Sequence, residues 1–155
     1  MKKLLALSLV AIVGIVGWRM RAPHETQDLA ADRLWIDHIP RGERDIVNLF
    51  VLLDHEAIGV FQKMSAWTGA YEGFRYEANG GQLRIVYPQT GDREKIRVRA
   101  SACKEEGMDY CLEIQGASRG VKRYYSRKGW EIDSREAAEK RVDELASALS
   151  ATSMR

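Results

Sequence analysis

Nine short segments, each four to nine residues long and rich in aliphatic or aromatic side chains, are separated by turn-forming residues, and this spacing constrains the fold more than any other feature of the chain. The segments are 33–38, 46–54, 58–64, 70–77, 82–87, 94–102, 108–114, 120–126 and 129–132. Between them stand Pro40 and Gly42, the run Asn79, Gly80 and Gly81, Pro88 and Gly91, Glu106 and Gly107, Gly116, and Gly129. Strands at regular spacing with such punctuation predict an antiparallel meander of eight or nine strands. Alternation supports it: Ile96, Val98, Ala100 and Ala102 interleave with Arg97, Arg99 and Ser101, and Met108, Tyr110, Leu112 and Ile114 with Asp109, Cys111 and Glu113. Such strands have one dry and one wet face. Segment 46–53 lacks alternation and fits a helix as well, but its position between Gly42 and the turn at 54–56 favours a strand covered on both faces. Beyond 133 the period becomes helical, with a capping box of Asp133 and Glu136 and an apolar stripe of Ala138, Val142, Leu145 and Leu149, which predicts a helix over about 134–150. The whole of 33–155 is expected to form one domain, and 23–32 a linker.

The start of the chain sets the compartment. Residues 1–22 carry Lys2 and Lys3, an apolar run from Leu4 to Trp18, then Arg19 and Arg21, the layout of a bacterial export signal. The run is shorter than the roughly 20 residues of a comfortable span, which favours a cleaved signal. The charged stretch before Pro23 is a poor cleavage site and favours an uncleaved anchor in the inner membrane through 4–18. Either route delivers the domain to an oxidising space, periplasmic or anchored and facing the periplasm. Those four cations also account for the formal charge of +2: the 24 basic side chains less four leave 20 against 22 acidic over 23–155, a net of −2. A near-neutral body argues against general binding of nucleic acid.

The two cysteines, Cys103 and Cys111, fall on the polar side of neighbouring strands. With 103 opposite 111 they leave one face together, and a disulfide is expected there. Zinc needs more ligands, and His24, His38 and His55 are remote in sequence; a redox pair would have closer spacing at a helix start. No metal or cofactor is expected. Asp37 with His38, and Asp54, His55 and Glu56, read as exposed turn residues.

Two further groups bear on function. With Asn79 and Gly80 as a two-residue turn, 72 falls opposite 87, so Glu72 shares the dry face with Phe74, Tyr76, Leu83, Ile85 and Tyr87. It either reaches solvent at the end of the sheet or is buried against a hydroxyl, with Arg123 a further partner. Residues 119–128 combine Arg119, Lys122, Arg123, Arg127 and Lys128 with two tyrosines and no acid. They either offer a surface for an anionic partner or are neutralised by the acidic segment that follows.

The strand count, Trp35 in the first strand, late cations at Arg119, Arg123 and Arg127, and a final helix together resemble a lipocalin-type β-barrel over 33–150. The resemblance implies a cavity for a hydrophobic ligand, and Trp35 packed beneath Arg123 or Arg127. On this basis the expected function is non-enzymatic binding of a small apolar ligand or lipid, by a pocket lined by Trp35, Glu72, Phe74, Tyr76, Tyr87, Arg123 and Trp130, with Phe61 and Trp67. The alternative is a structural or interaction module that meets another envelope protein through 119–128. A catalytic nucleophile with its base and orienting group is not legible.

Overall fold

A computed structural model describes residues 29–65 and 67–132, with Glu136, Ala137, Lys140, Arg141, Asp143, Glu144 and Ser147 beyond them. The expected signal or anchor over 1–22, most of the linker and most of the segment expected as a helix over about 134–150 lie outside the described residues. Among the described residues no helix is long and apolar enough to cross a membrane.

Eight antiparallel strands close into a barrel in simple sequence order. They are β1 (Arg33–Ile36), β2 (Val47–Leu53), β3 (Ile58–Met64), β4 (Gly69–Asn79), β5 (Gln82–Val86), β6 (Arg93–Ala102), β7 (Tyr110–Gln115) and β8 (Arg123–Ser126). The ninth expected segment, 129–132, contributes only an isolated bridge between Arg33 and Glu131. Strand period decides which side chains enter: along β6, Ile96, Val98 and Ala100 are buried while Arg93, Lys95, Arg97 and Arg99 are exposed.

The centre is filled by rings. Phe50 lies 4.9 Å from Phe61 and 5.7 Å from Tyr124 between centroids, and Phe74 lies 5.3 Å from Phe61 and 5.9 Å from Tyr87. Aromatic pairs at these separations contribute beyond the area they bury. Trp35 is fully buried and donates from Nε1 to the Ala30 carbonyl at 2.9 Å, which holds residues 29–31 across one end of the barrel. A second apolar cluster, with Leu34, Ile36, Val47, Leu49, Met64, Met108 and Ile132, lies on the outer side of β1 and β2, joined by Trp130 and Tyr125. β2 is therefore covered on both faces, as its largely apolar sequence without alternation predicts.

Both hairpin registers differ from expectation by two residues. Asn79 pairs with Gln82, so the turn is Gly80 and Gly81, both at positive φ (58° and 81°), the geometry of a tight turn whose twist matches its strands. Ser101 pairs with Cys111, and the Cys103 amide donates to the Asp109 carbonyl. A slip of two preserves the faces, so the Cys103–Cys111 disulfide forms diagonally across the strands, with Cα atoms 5.7 Å apart. Cys111 is buried, although it leaves the outer face.

Candidate functional site

The register puts the β1–β2 loop, the β3–β4 turn, the β5–β6 turn and the β7–β8 connection at one end of the barrel, hereafter the loop end. The disulfide loop, Gly80 and Gly81 lie at the other.

Glu72 is at the loop end, and its partner is Arg119 rather than Arg123. Arg119 Nε donates to Glu72 Oε2 at 3.0 Å and Nη2 to Glu72 Oε1 at 3.2 Å, while Nη2 also reaches Asp92 Oδ2 at 2.7 Å and Nη1 the Ser118 hydroxyl at 2.7 Å. The guanidinium lies 3.9 Å over the Tyr87 ring. Tyr87 is fully buried and donates its hydroxyl to Glu94, whose other oxygen accepts from the Ser118 amide and hydroxyl. Burial, then the Glu94 carboxylate, pushes the Tyr87 hydroxyl far above its ordinary value, so it stays a donor at every physiological pH. Its hydrogen bonds to the carboxylates of Glu72 and then Asp92 hold the Arg119 charge more firmly still. No buried side-chain oxygen or nitrogen of this group lacks a partner, and the arrangement is that of a closure over the ring core.

The other expected residues are dispersed. Phe61, Phe74, Tyr76 and Trp35 belong to the ring core. Tyr76 donates to the Leu53 carbonyl, and burial, with Asp54 and Asp32 nearby, pushes its hydroxyl up to about 12. Trp130 packs on the outer cluster, and Trp67, in the β3–β4 turn, is 72% exposed. Arg123 is outward, 2.6 Å from Glu105 and over Tyr125, and Arg127 lies over Trp130, so neither covers Trp35. Lys122 and Lys128 are exposed on opposite ends of β8, which leaves 119–128 with no single cationic surface. His38 bridges Asp37 and Asp45 at 2.9 and 3.1 Å. The Arg41 amide, then His38, holds the Asp45 carboxyl below its usual range. Among the described residues no cluster of His, Cys, Asp or Glu could hold a metal ion.

A charged surface lies on the outside of β4–β6. The outward positions of these strands carry Arg75, Arg84, Arg93, Lys95, Arg97 and Arg99, all exposed, against the single carboxylate Glu77. Register brings them into rows: Arg75, Val86 and Arg93; then Glu77, Arg84 and Lys95; then Gln82 and Arg97. Arg84 approaches Glu77 only to 3.9 Å. Arg75, Arg93, Lys95, Arg97 and Arg99 have no ion-pair partner among the described residues. A groove of about 1210 Å³ crosses this face beside the β2–β3 turn, with Ile58 and Val86 among its walls and Arg75, Arg84, Arg93 and Lys95 around it. Its signal in the sequence was Arg93, Lys95, Arg97 and Arg99 at every second position; what the sequence did not show is that β4 and β5 add Arg75 and Arg84 alongside. Like charges at neighbouring outward positions repel, so an array of this kind is relieved by a multivalent anion.

Compared with known proteins, the chain matches no family, no curated protein and no solved structure.

Proposed function

We propose that this chain is an exported, non-enzymatic interaction module of the cell envelope, which holds a multivalent anionic partner against the outer face of β4–β6. The observation that carries the reading is the set of five cations in register, Arg75, Arg84, Arg93, Lys95 and Arg97, four of them in no ion pair among the described residues, with Arg99 beyond them opposite Glu113. Side chains two apart on a strand stand roughly 7 Å from one another and neighbouring strands roughly 5 Å, so the array presents charge at the spacing of closely placed phosphates, sulfates or carboxylates. The disulfide supports an oxidising compartment, and with it an envelope polymer or surface rather than nucleic acid. A small apolar ligand inside the barrel has less support, because the aromatic rings occupy the place it would take.

Dextran sulfate is a suitable probe. The full-length protein is expected to bind it tightly at low salt and progressively less as ionic strength rises. Reversing one array charge, as in Arg97→Glu or Lys95→Glu, changes two units of charge and is expected to weaken binding about thirtyfold, at ~1 kcal/mol per unit charge facing an anionic surface. Lys104→Glu, in the disulfide loop, should leave it nearly unchanged. Equal effects at all three positions, or binding indifferent to salt, would overturn the reading.

A further inference from the structure

The large apolar side chains most exposed among the described residues are gathered at the loop end. Ile39 is 41% and Ile46 56% exposed on the β1–β2 loop, Trp67 is 72% exposed in the β3–β4 turn, and Tyr71 is 77% exposed two residues into β4. These two connections are neighbours, because Val47, which follows Ile46, pairs with Met64, and Met64 pairs with Gly69 across the turn. Soluble surfaces scatter such residues singly, and a gathered set marks a contact. The cations Arg41, Arg44 and Lys63 are exposed around it and have no ion-pair partner among the described residues. Of the acids on the same loop, Asp45 is committed to the Arg41 amide and to His38 and Asp37 to Asn48 and His38, while Glu43, between Arg41 and Arg44, is partly buried.

We propose that this end of the barrel seats in the headgroup layer of an anionic lipid bilayer, with Ile39 and Ile46 reaching toward the acyl chains. Trp67 and Tyr71 would sit at the polar boundary, and Arg41, Arg44 and Lys63 against lipid phosphates. Tryptophan and tyrosine prefer that boundary, isoleucine the region beneath it, and cations the charged surface above. A second copy of the chain is the alternative occupant, and the lipid-free arm of the test below detects it. The proposal rests on side chains other than those of the β4–β6 array, so either can fail alone.

The test uses tryptophan quenching by lipids brominated on their acyl chains, in vesicles of phosphatidylcholine and phosphatidylglycerol. The full-length chain has four tryptophans, and Trp18 lies in the apolar N-terminal run, so the comparison is made in Trp18→Phe protein. Quenching is expected in that protein, is lost on adding Trp67→Phe, and is weakened by Ile46→Asp with Trp67 retained. Because Trp67 and Ile46 are exposed, both substitutions should leave the near-ultraviolet circular dichroism of the buried rings in place. Replacing phosphatidylglycerol with phosphatidylcholine should reduce the Trp67 share. The proposal is overturned if Trp67→Phe leaves quenching unchanged, if neutral vesicles quench equally, or if Trp67 emission shifts with protein concentration in the absence of lipid, the mark of self-association. Attachment through residues 4–18 alone would quench without any Trp67 share and therefore also counts against it.

Discussion

Gly59 shows how closely single residues are fitted to the ring core. It pairs with Phe74 and Leu52 on the inner face, and a Cβ built there would overlap the Phe74 ring and come within 2.9 Å of the Val51 carbonyl. The requirement is for space, not for an unusual backbone. Gly59→Ala must therefore displace Phe74 from its contacts with Phe61 and Tyr87, and is expected to cost about 1–3 kcal/mol in urea unfolding. Gly73→Ala is the control, because on the outer face its Cβ would meet only ordinary contacts, 3.6 Å or more away, and stability should hardly change. The same scale explains why the partner of Glu72 was not legible in the sequence. Arg119 and Arg123 are both cations of one basic stretch, and which of them turns inward depends on the path of the β7–β8 connection, where Gly120 takes a φ of 70° beside Tyr124 and Phe61. Trp67 departs from expectation for a related reason: its hydrophobicity suggests the interior, but a tight turn between Met64 and Gly69 carries it outward.

At the scale of elements, period-2 reading was sound where register reading was not. The faces of β4, β5, β6 and β7 follow from alternation, and a slip of two residues leaves every face intact. The register itself depends on which residues of Asn79, Gly80 and Gly81 take positive φ, and three consecutive turn-formers do not announce that choice. Cys103 and Cys111 posed the same ambiguity, since a bridge forms between residues directly opposite or diagonal within the same Cα separation. β2 was legible because a strand without alternation needs two dry faces, and the outer cluster around Leu34, Leu49 and Ile132 supplies the second. The disulfide closes a short loop, and in the chain-entropy account it contributes about 2–3 kcal/mol. Cys103→Ser with Cys111→Ser is expected to lose that amount in chemical unfolding. The earliest loss of amide protection should fall at Cys103 and Met108, whose bonds to Asp109 and Glu105 lie inside the loop.

For the molecule as a whole, closure is the least uniform feature. β2, β3 and β4 pair over seven residues each, but β1 and β8 share only Ile36 with Tyr125. Beyond Tyr125 the chain leaves β1, turns over 127–130, and rejoins it where Leu34 donates to the Trp130 carbonyl at 3.0 Å and Ile132 to the Asp32 carbonyl at 2.7 Å. Arg33 fastens the detour, donating to the Arg127 carbonyl at 2.8 Å and to Glu131 at 2.5 Å while it lies 4.2 Å over Tyr110. Native-state hydrogen exchange should reveal this line: the Leu34 and Ile132 amides are expected to exchange through local opening, and those of β3 and β4 only through global unfolding. Uniform protection around the barrel would contradict it. A ring fastened so narrowly at one place, once unclasped there, bares two unpaired strand margins at the same moment, one at each end of the sheet. Each could then accept a strand from a neighbouring molecule, so the short meeting of β1 and β8 is also where a stressed population would begin to link into chains.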